Sequence, residues 1–259
     1  MGTRVWLWPN LLSLDAPVVA LLWQVLFVRC FHARLGTMPS ILLALAVWLI
    51  YAADRMLDAW RGGEHQPRHE FYRRYWRTVL PVWSAVLAVG AWMACTQLPS
   101  ELLARGVLLA ACAALYLAAV HLAPGRWKSA GRKEAAVAVL FALGATLAAW
   151  PEVETAYDVV SILLFSYLCW MNCTAIEDWE HGREARAGIV VAAALVAVTA
   201  AILLREHRPV LGCAETASAL GLVALDRLRA RISPEALRVL ADAVLLTPIL
   251  FLRAAGMFA

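Results

Sequence analysis

The sequence predicts an all-α integral membrane protein, a single transmembrane domain over residues 1–259. Three observations carry that prediction. Hydrophobic residues make up 63% of the chain against 16% charged, and mean hydropathy is +0.68; a soluble chain of this size carries roughly 25% charged residues. Long apolar windows approach the length of a bilayer-spanning helix with at most one or two charges each. Pro39, Pro81, Pro151, Pro209 and Pro234 fall at or close to the boundaries of these windows. The same composition disfavours disorder, a disulfide scaffold and a nucleic-acid-binding module.

Windows of about 19 residues predict nine spans. The first covers 17–35. The second, 39–58, opens at Pro39, and the third, 78–96, opens just before Pro81. Spans at 102–122 and 134–150 follow, the latter closed by Pro151. A sixth covers 157–177 and a seventh 187–204. The eighth, 210–226, follows Pro209, and the ninth, 235–253, follows Pro234. Proline is tolerated at such starts because first-turn amides lack intrahelical partners.

With the amino terminus in the cytoplasm, seventeen of the 23 Lys and Arg residues fall on that side, a positive-inside bias. Arginine dominates; lysine occurs only at Lys128 and Lys133. The acidic loop with Glu152 and Glu154 then lies outside. The first apolar run lacks a small-residue cleavage site, so no removable signal peptide is expected. Cys30, Cys95, Cys112, Cys169, Cys173 and Cys213 lie in apolar stretches without CxxC spacing and read as small buried hydrophobes.

The chemistry concentrates at two helix ends. In YAADRMLDAWR, Asp54 and Asp58 stand at i and i+4 on one helical face. Two carboxylates that close need a cation. One reading is a Mg²⁺ site, because that hard ion is held by one or two carboxylates plus substrate phosphates; the plainer one pairs Asp54 with Arg55 or Arg61. A second acidic end, NCTAIEDWEHGRE, holds Glu177, Asp178, Glu180 and Glu184 beside Asn172. Asn172-Cys-Thr also matches a glycosylation sequon, a meaning its place inside a helix opposes. Regular helix geometry puts Asp178 and Glu180 roughly 200° apart, so Asp178 with Asn172 is expected to face the site and Glu180 the basic loop.

Basic segments accompany both ends. RHEFYRRYWR, with Arg68, Arg73 and Arg74, repeats aromatics at i+4 and predicts an amphipathic interfacial helix. GRWKSAGRKE adds Lys128, Arg132 and Lys133. A diphosphate needs such guanidinium or ammonium partners beside a metal. Pro67 between His65 and His69 breaks their helical pairing and disfavours zinc there.

Nine spans, acidic motifs after the second and sixth, and basic intervening loops resemble the UbiA superfamily of intramembrane prenyltransferases. The resemblance implies helices around a central cavity and an isoprenoid diphosphate bound through Mg²⁺ at both acidic motifs. It further implies transfer of the allylic cation to an aromatic or lipid acceptor. Asp54 and Asp58 match the last two aspartates of the family's NDxxDxxxD motif, and Asp178 the first acid of its second motif. Glu177 and Glu180 are candidate replacement metal ligands. Lys133 with Gly144 sits where the family places a loop lysine ahead of a helical glycine. Ile50 and Tyr51 stand in place of the opening Asn-Asp, Gly182 in place of a later aspartate, and no tyrosine shortly precedes Lys133. The implied partners are the diphosphate and membrane lipid, not nucleic acid, and the implied location is the bacterial inner membrane.

Aromatic faces stabilise cations, which makes Trp48, Phe165, Tyr167 and Trp170 candidates for a cavity wall. Two other readings remain open: a terpene cyclase on the same scaffold, and a transporter or polyprenyl-lipid binder. The last would centre on Asp242, whose plainer role is an ion pair with Arg238.

Overall fold

A computed structural model describes residues 8–60, 67–122, 132–182 and 188–252. Those residues are almost entirely helical, and no strand occurs among them. In chain order the helices are α1 (Trp8–Leu11), α2 (Asp15–Cys30), α3 (Thr37–Trp60), α4 (Pro67–Gln97), α5 (Ser100–Leu122) and α6 (Arg132–Thr146). Next come α7 (Ala156–Glu180), α8 (Gly188–Glu206), α9 (Pro209–Leu228), α10 (Pro234–Val244) and α11 (Pro248–Phe251). A 3₁₀ segment, Leu147–Glu152, extends α6, and another, Arg229–Arg231, extends α9. The chain is membrane-embedded: among the described residues, six helical stretches are long and apolar enough to cross a bilayer, on α3, α4, α5, α6, α7 and α9.

Two of the remaining expected spans, the first and the ninth, differ. The first is a 16-residue helix, Asp15–Cys30, short of the ~20 residues a bilayer requires. The seventh is matched by the 19-residue α8, Gly188–Glu206. The stretch 235–253 divides into α10 and α11: Pro248 has no amide to donate to Val244, and the amides of Leu245, Leu246 and Thr247 bond three residues back rather than four. In compensation the Thr247 hydroxyl donates to the Ala214 carbonyl at 3.2 Å and bonds Ser218 on α9. Pro81 does not start a helix. α4 runs through it with a kink at Tyr75 (φ −105°, ψ 15°), so the basic segment around Arg73 continues directly into a span.

The chain folds as two compact units: Met1–Leu21 with Gly36–Arg126, and Leu22–Leu35 with Trp127–Ala259. In the first unit, α3 presents Ala52, Met56 and Ala59 to Tyr72 of α4, with Trp48, Phe71, Val79 and Trp83 around them. The small alanines let the two helices approach, and the Trp83 indole donates to the Leu49 carbonyl at 2.9 Å. Tyr72 also bonds Ser13 at 3.1 Å.

The second unit is built on α7. Trp23 and Phe27 of α2 pack on its Phe165, with Trp23 and Phe165 stacked at 4.3 Å and Phe141 of α6 on the same ring. The buried Trp23 N–H finds the Leu245 carbonyl at 2.9 Å, as an enclosed indole should. α9 and α10 meet closely at Gly221, where a Cβ would lie 2.6 Å from Val244 Cγ1 and 3.1 Å from Cγ2. Valine is stiff at χ1. Gly221→Ala should therefore destabilise the protein by about 1–3 kcal/mol, read as unfolding in detergent, and Val244→Ala in the same chain should recover much of the loss.

Candidate metal centre

The face of α3 opposite Met56 carries Tyr51, Asp54 and Asp58, a 3-then-4 spacing that aligns them along the helix. The two carboxylates lie at the carboxyl-terminal end of α3 and are each 29% exposed. Against them comes the end of α5. Ala113, Tyr116 and Val120 form its buried stripe, and the next residue, His121, is buried as well, with 6% side-chain exposure. His121 Nε2 lies 3.1 Å from Asp54 Oδ1, and Nδ1 lies 3.9 Å from Asp58 Oδ1. Nδ1 has no hydrogen-bond partner among the described residues.

One ligand atom from each of these side chains falls within 4.8 Å of the others. Among the described residues, this is the one such group of three His, Cys, Asp or Glu side chains. Arg55 does not serve as its cation: its guanidinium is buried and donates to the Asn10 carbonyl at 2.6 Å, because one residue along a helix is 100° around it. The arrangement can hold a divalent cation or close on itself through the imidazole; Arg61, the other expected partner of Asp54, lies outside the described residues.

The second acidic end lies in the other unit, on α7. Asn172 and Asp178 are buried, while Glu177 is half-buried with Oε1 3.4 Å from His181. Glu180 receives Arg238 of α10 at 2.5 Å. Asp242, one turn beyond Arg238, accepts from Asn172 Nδ2 at 3.3 Å, while Asn172 Oδ1 has no hydrogen-bond partner among the described residues. Trp179 donates to Asp226, which also holds Arg229. This end of α7 is thus tied to α10 through Glu180 with Arg238 and Asn172 with Asp242, and to α9 through Trp179 with Asp226.

Of the expected basic partners, Arg73 and Arg74 are exposed on α4, with Arg74 over the Tyr75 ring. Arg132 is exposed and Lys133 half-buried at the start of α6. The Arg68 side chain and Lys128 lie outside the described residues. Among the aromatic candidates, Phe165 is core packing, Tyr167 and Trp170 stack on each other, and Trp48 donates to the Leu12 carbonyl.

Two residues escaped the sequence reading. His121 is the polar residue that ends an apolar helix, and its partners lie 67 and 63 positions upstream. Glu215 is fully buried in α9, and neither carboxylate oxygen has a hydrogen-bond partner among the described residues; an acid alone in an apolar run is its visible signal. Searches against protein-family models, curated proteins and solved structures find no match to this chain.

Proposed function

We propose that this chain is a membrane-embedded enzyme that binds an isoprenoid diphosphate at Asp54, Asp58 and His121 and transfers the prenyl group to an aromatic or lipid acceptor. The observation that supports it is the convergence of an aligned aspartate pair with a buried histidine from a second helix. Diphosphates are bound through a divalent cation shared with carboxylates. The two aspartates fit Mg²⁺, the ion the UbiA resemblance implies; His121 fits that ion as a hydrogen-bond donor that orients Asp54. A cation bound there would offset the charge that builds on the diphosphate as its C–O bond breaks.

The protein's own groups have distinct tasks in this reading. Asp54 and Asp58 hold the leaving diphosphate's cation in place, and His121 fixes the orientation of Asp54. Arg73 and Arg74, in the same unit, are the candidate guanidinium partners for diphosphate oxygens. The diphosphate departs with the bonding electrons, the acceptor attacks the allylic carbon, and the acceptor's proton is lost to water or a carboxylate. An apolar surround keeps water from the allylic cation. The positive-inside bias places the carboxyl-terminal end of α3 on the cytoplasmic side, where a water-soluble diphosphate arrives.

The test is release of diphosphate by the purified chain from a panel of isoprenoid diphosphates, with and without aromatic and lipid acceptors. Acceptor-dependent release supports transfer. A cyclic hydrocarbon or alcohol from the diphosphate alone would replace transfer with cyclisation. No release under any combination overturns the enzymatic reading.

A further inference from the structure

We infer that the Asp54, Asp58 and His121 group prefers zinc over Mg²⁺; the inference deepens the proposal that this centre holds the cation of a diphosphate-cleaving enzyme. The donor set is two oxygens and one imidazole nitrogen. Mg²⁺ demands oxygen ligands in near-ideal octahedral geometry, whereas imidazole is a ligand of zinc.

His121 is enclosed. Its side chain is 6% exposed, on a different helix from the aspartates, so α3 and α5 supply a three-point set. Both ring nitrogens turn towards the carboxylates, and the one nearer Asp58 has no hydrogen-bond partner among the described residues. Ligands bonded to a tetrahedral zinc at about 2.0–2.2 Å stand roughly 3.4 Å from one another. The 3.1 Å between His121 Nε2 and Asp54 Oδ1 is close to that figure, and one ligand atom from each of the three side chains lies within 4.8 Å of the others, so side-chain rotations close the set. Half-exposed carboxylates leave further positions for water or a diphosphate oxygen, as a catalytic rather than a structural site requires.

The experiment is calorimetric titration of the metal-stripped, detergent-solubilised full chain with Zn²⁺ alone and with Mg²⁺ alone. Zn²⁺ should bind at least about a hundredfold more tightly than Mg²⁺. His121→Ala should weaken Zn²⁺ by more than about a hundredfold, beyond what loss of an outer-shell partner costs, and change Mg²⁺ affinity little. Asp54→Ala should weaken both ions, and joint replacement of His65 and His69 by alanine should leave Zn²⁺ affinity intact. His121→Asn, which keeps a polar side chain, repeats the measurement should the alanine variant fold poorly.

Equal wild-type affinities for Zn²⁺ and Mg²⁺ overturn the inference. So does an equal loss of both ions in the His121 variants, which would make His121 a positioning residue, or loss of Zn²⁺ only when His65 and His69 are replaced. Diphosphate release is measured separately. Release with Mg²⁺ but no zinc preference overturns the ion assignment and leaves the enzyme, while His121-dependent zinc binding without release from any isoprenoid diphosphate does the reverse.

Discussion

Asp54→Ala and Asp58→Ala each lower diphosphate release by on the order of a hundredfold or more, the scale of losing one preorganised group that stabilises transition-state charge. The protein should stay folded. Both carboxylates are partly exposed and lie on the face of α3 opposite the Ala52, Met56, Ala59 stripe that packs on α4; partly exposed ion pairs contribute little to stability. The effect should fall on turnover more than on retention of the prenyl chain, because these side chains act on the leaving diphosphate. Asp58→Asn separates charge from shape: it preserves the side-chain outline and should still lose most of the activity. Full turnover in the double alanine variant would reduce this helix end to an aspartate–histidine contact without catalytic meaning. Kinetics with a fluorescent phosphate sensor, coupled to a pyrophosphatase and paired with thermal unfolding in the same detergent, supply both readings.

How far the sequence disclosed this centre depends on which forces placed each residue. The aspartate pair was legible because i, i+4 alignment is a local property of one helix. His121 was not, because its meeting with Asp54 is a tertiary contact between α3 and α5 that no window of 19 residues contains. The same distinction separates spans read well from spans read badly. Hydropathy located α3, α5 and α7 because each is a long apolar run. It could not see the break before Pro248, where a missing amide acts inside an apolar window. Nor did Pro81 end a helix, since Tyr72, 3% exposed against α3 and bonded to Ser13, holds the preceding turns in place.

The second acidic end shows a further limit. Charge spacing alone identified Asp178, Glu177 and Glu180 as candidate ligands, yet this helix end meets Asp226 of α9 at Trp179 and Arg238 of α10 at Glu180, 47 and 58 positions away. Pairings of that range depend on which helices pack, and helix packing follows small-residue contacts such as Gly221 against Val244 rather than charge. Glu215 was readable as an isolated acid in an apolar run; that it is fully enclosed required the structure.

The largest stability loss should come from the opposite end of α7. Asp158 is fully enclosed and does two jobs. Its carboxylate accepts from the Thr155 amide at 2.9 Å, the Thr155 hydroxyl at 2.9 Å and the Glu154 amide at 3.2 Å, completing a capping box with the Thr155 side chain. Its other oxygen takes both Arg208 Nε at 2.8 Å and a terminal guanidinium nitrogen at 2.7 Å, two charge-assisted bonds that converge on one atom. The same guanidinium lies 5.3 Å from the Phe31 ring centroid. Asp158→Ala should cost about 3–5 kcal/mol, because removing one partner of a buried pair strands the other. It also leaves two backbone amides without the acceptor that ends the helix. Arg208→Met should cost less, since Asp158 keeps its three donors from Thr155 and Glu154 while methionine retains the contact with Phe31. Thr155→Ala should cost only about 1 kcal/mol, the usual worth of a cap. Reversible unfolding in mixed micelles should therefore rank the variants Asp158→Ala, then Arg208→Met, then Thr155→Ala. An Arg208 variant as damaging as Asp158→Ala would place the energy in the ion pair alone and leave the cap a bystander.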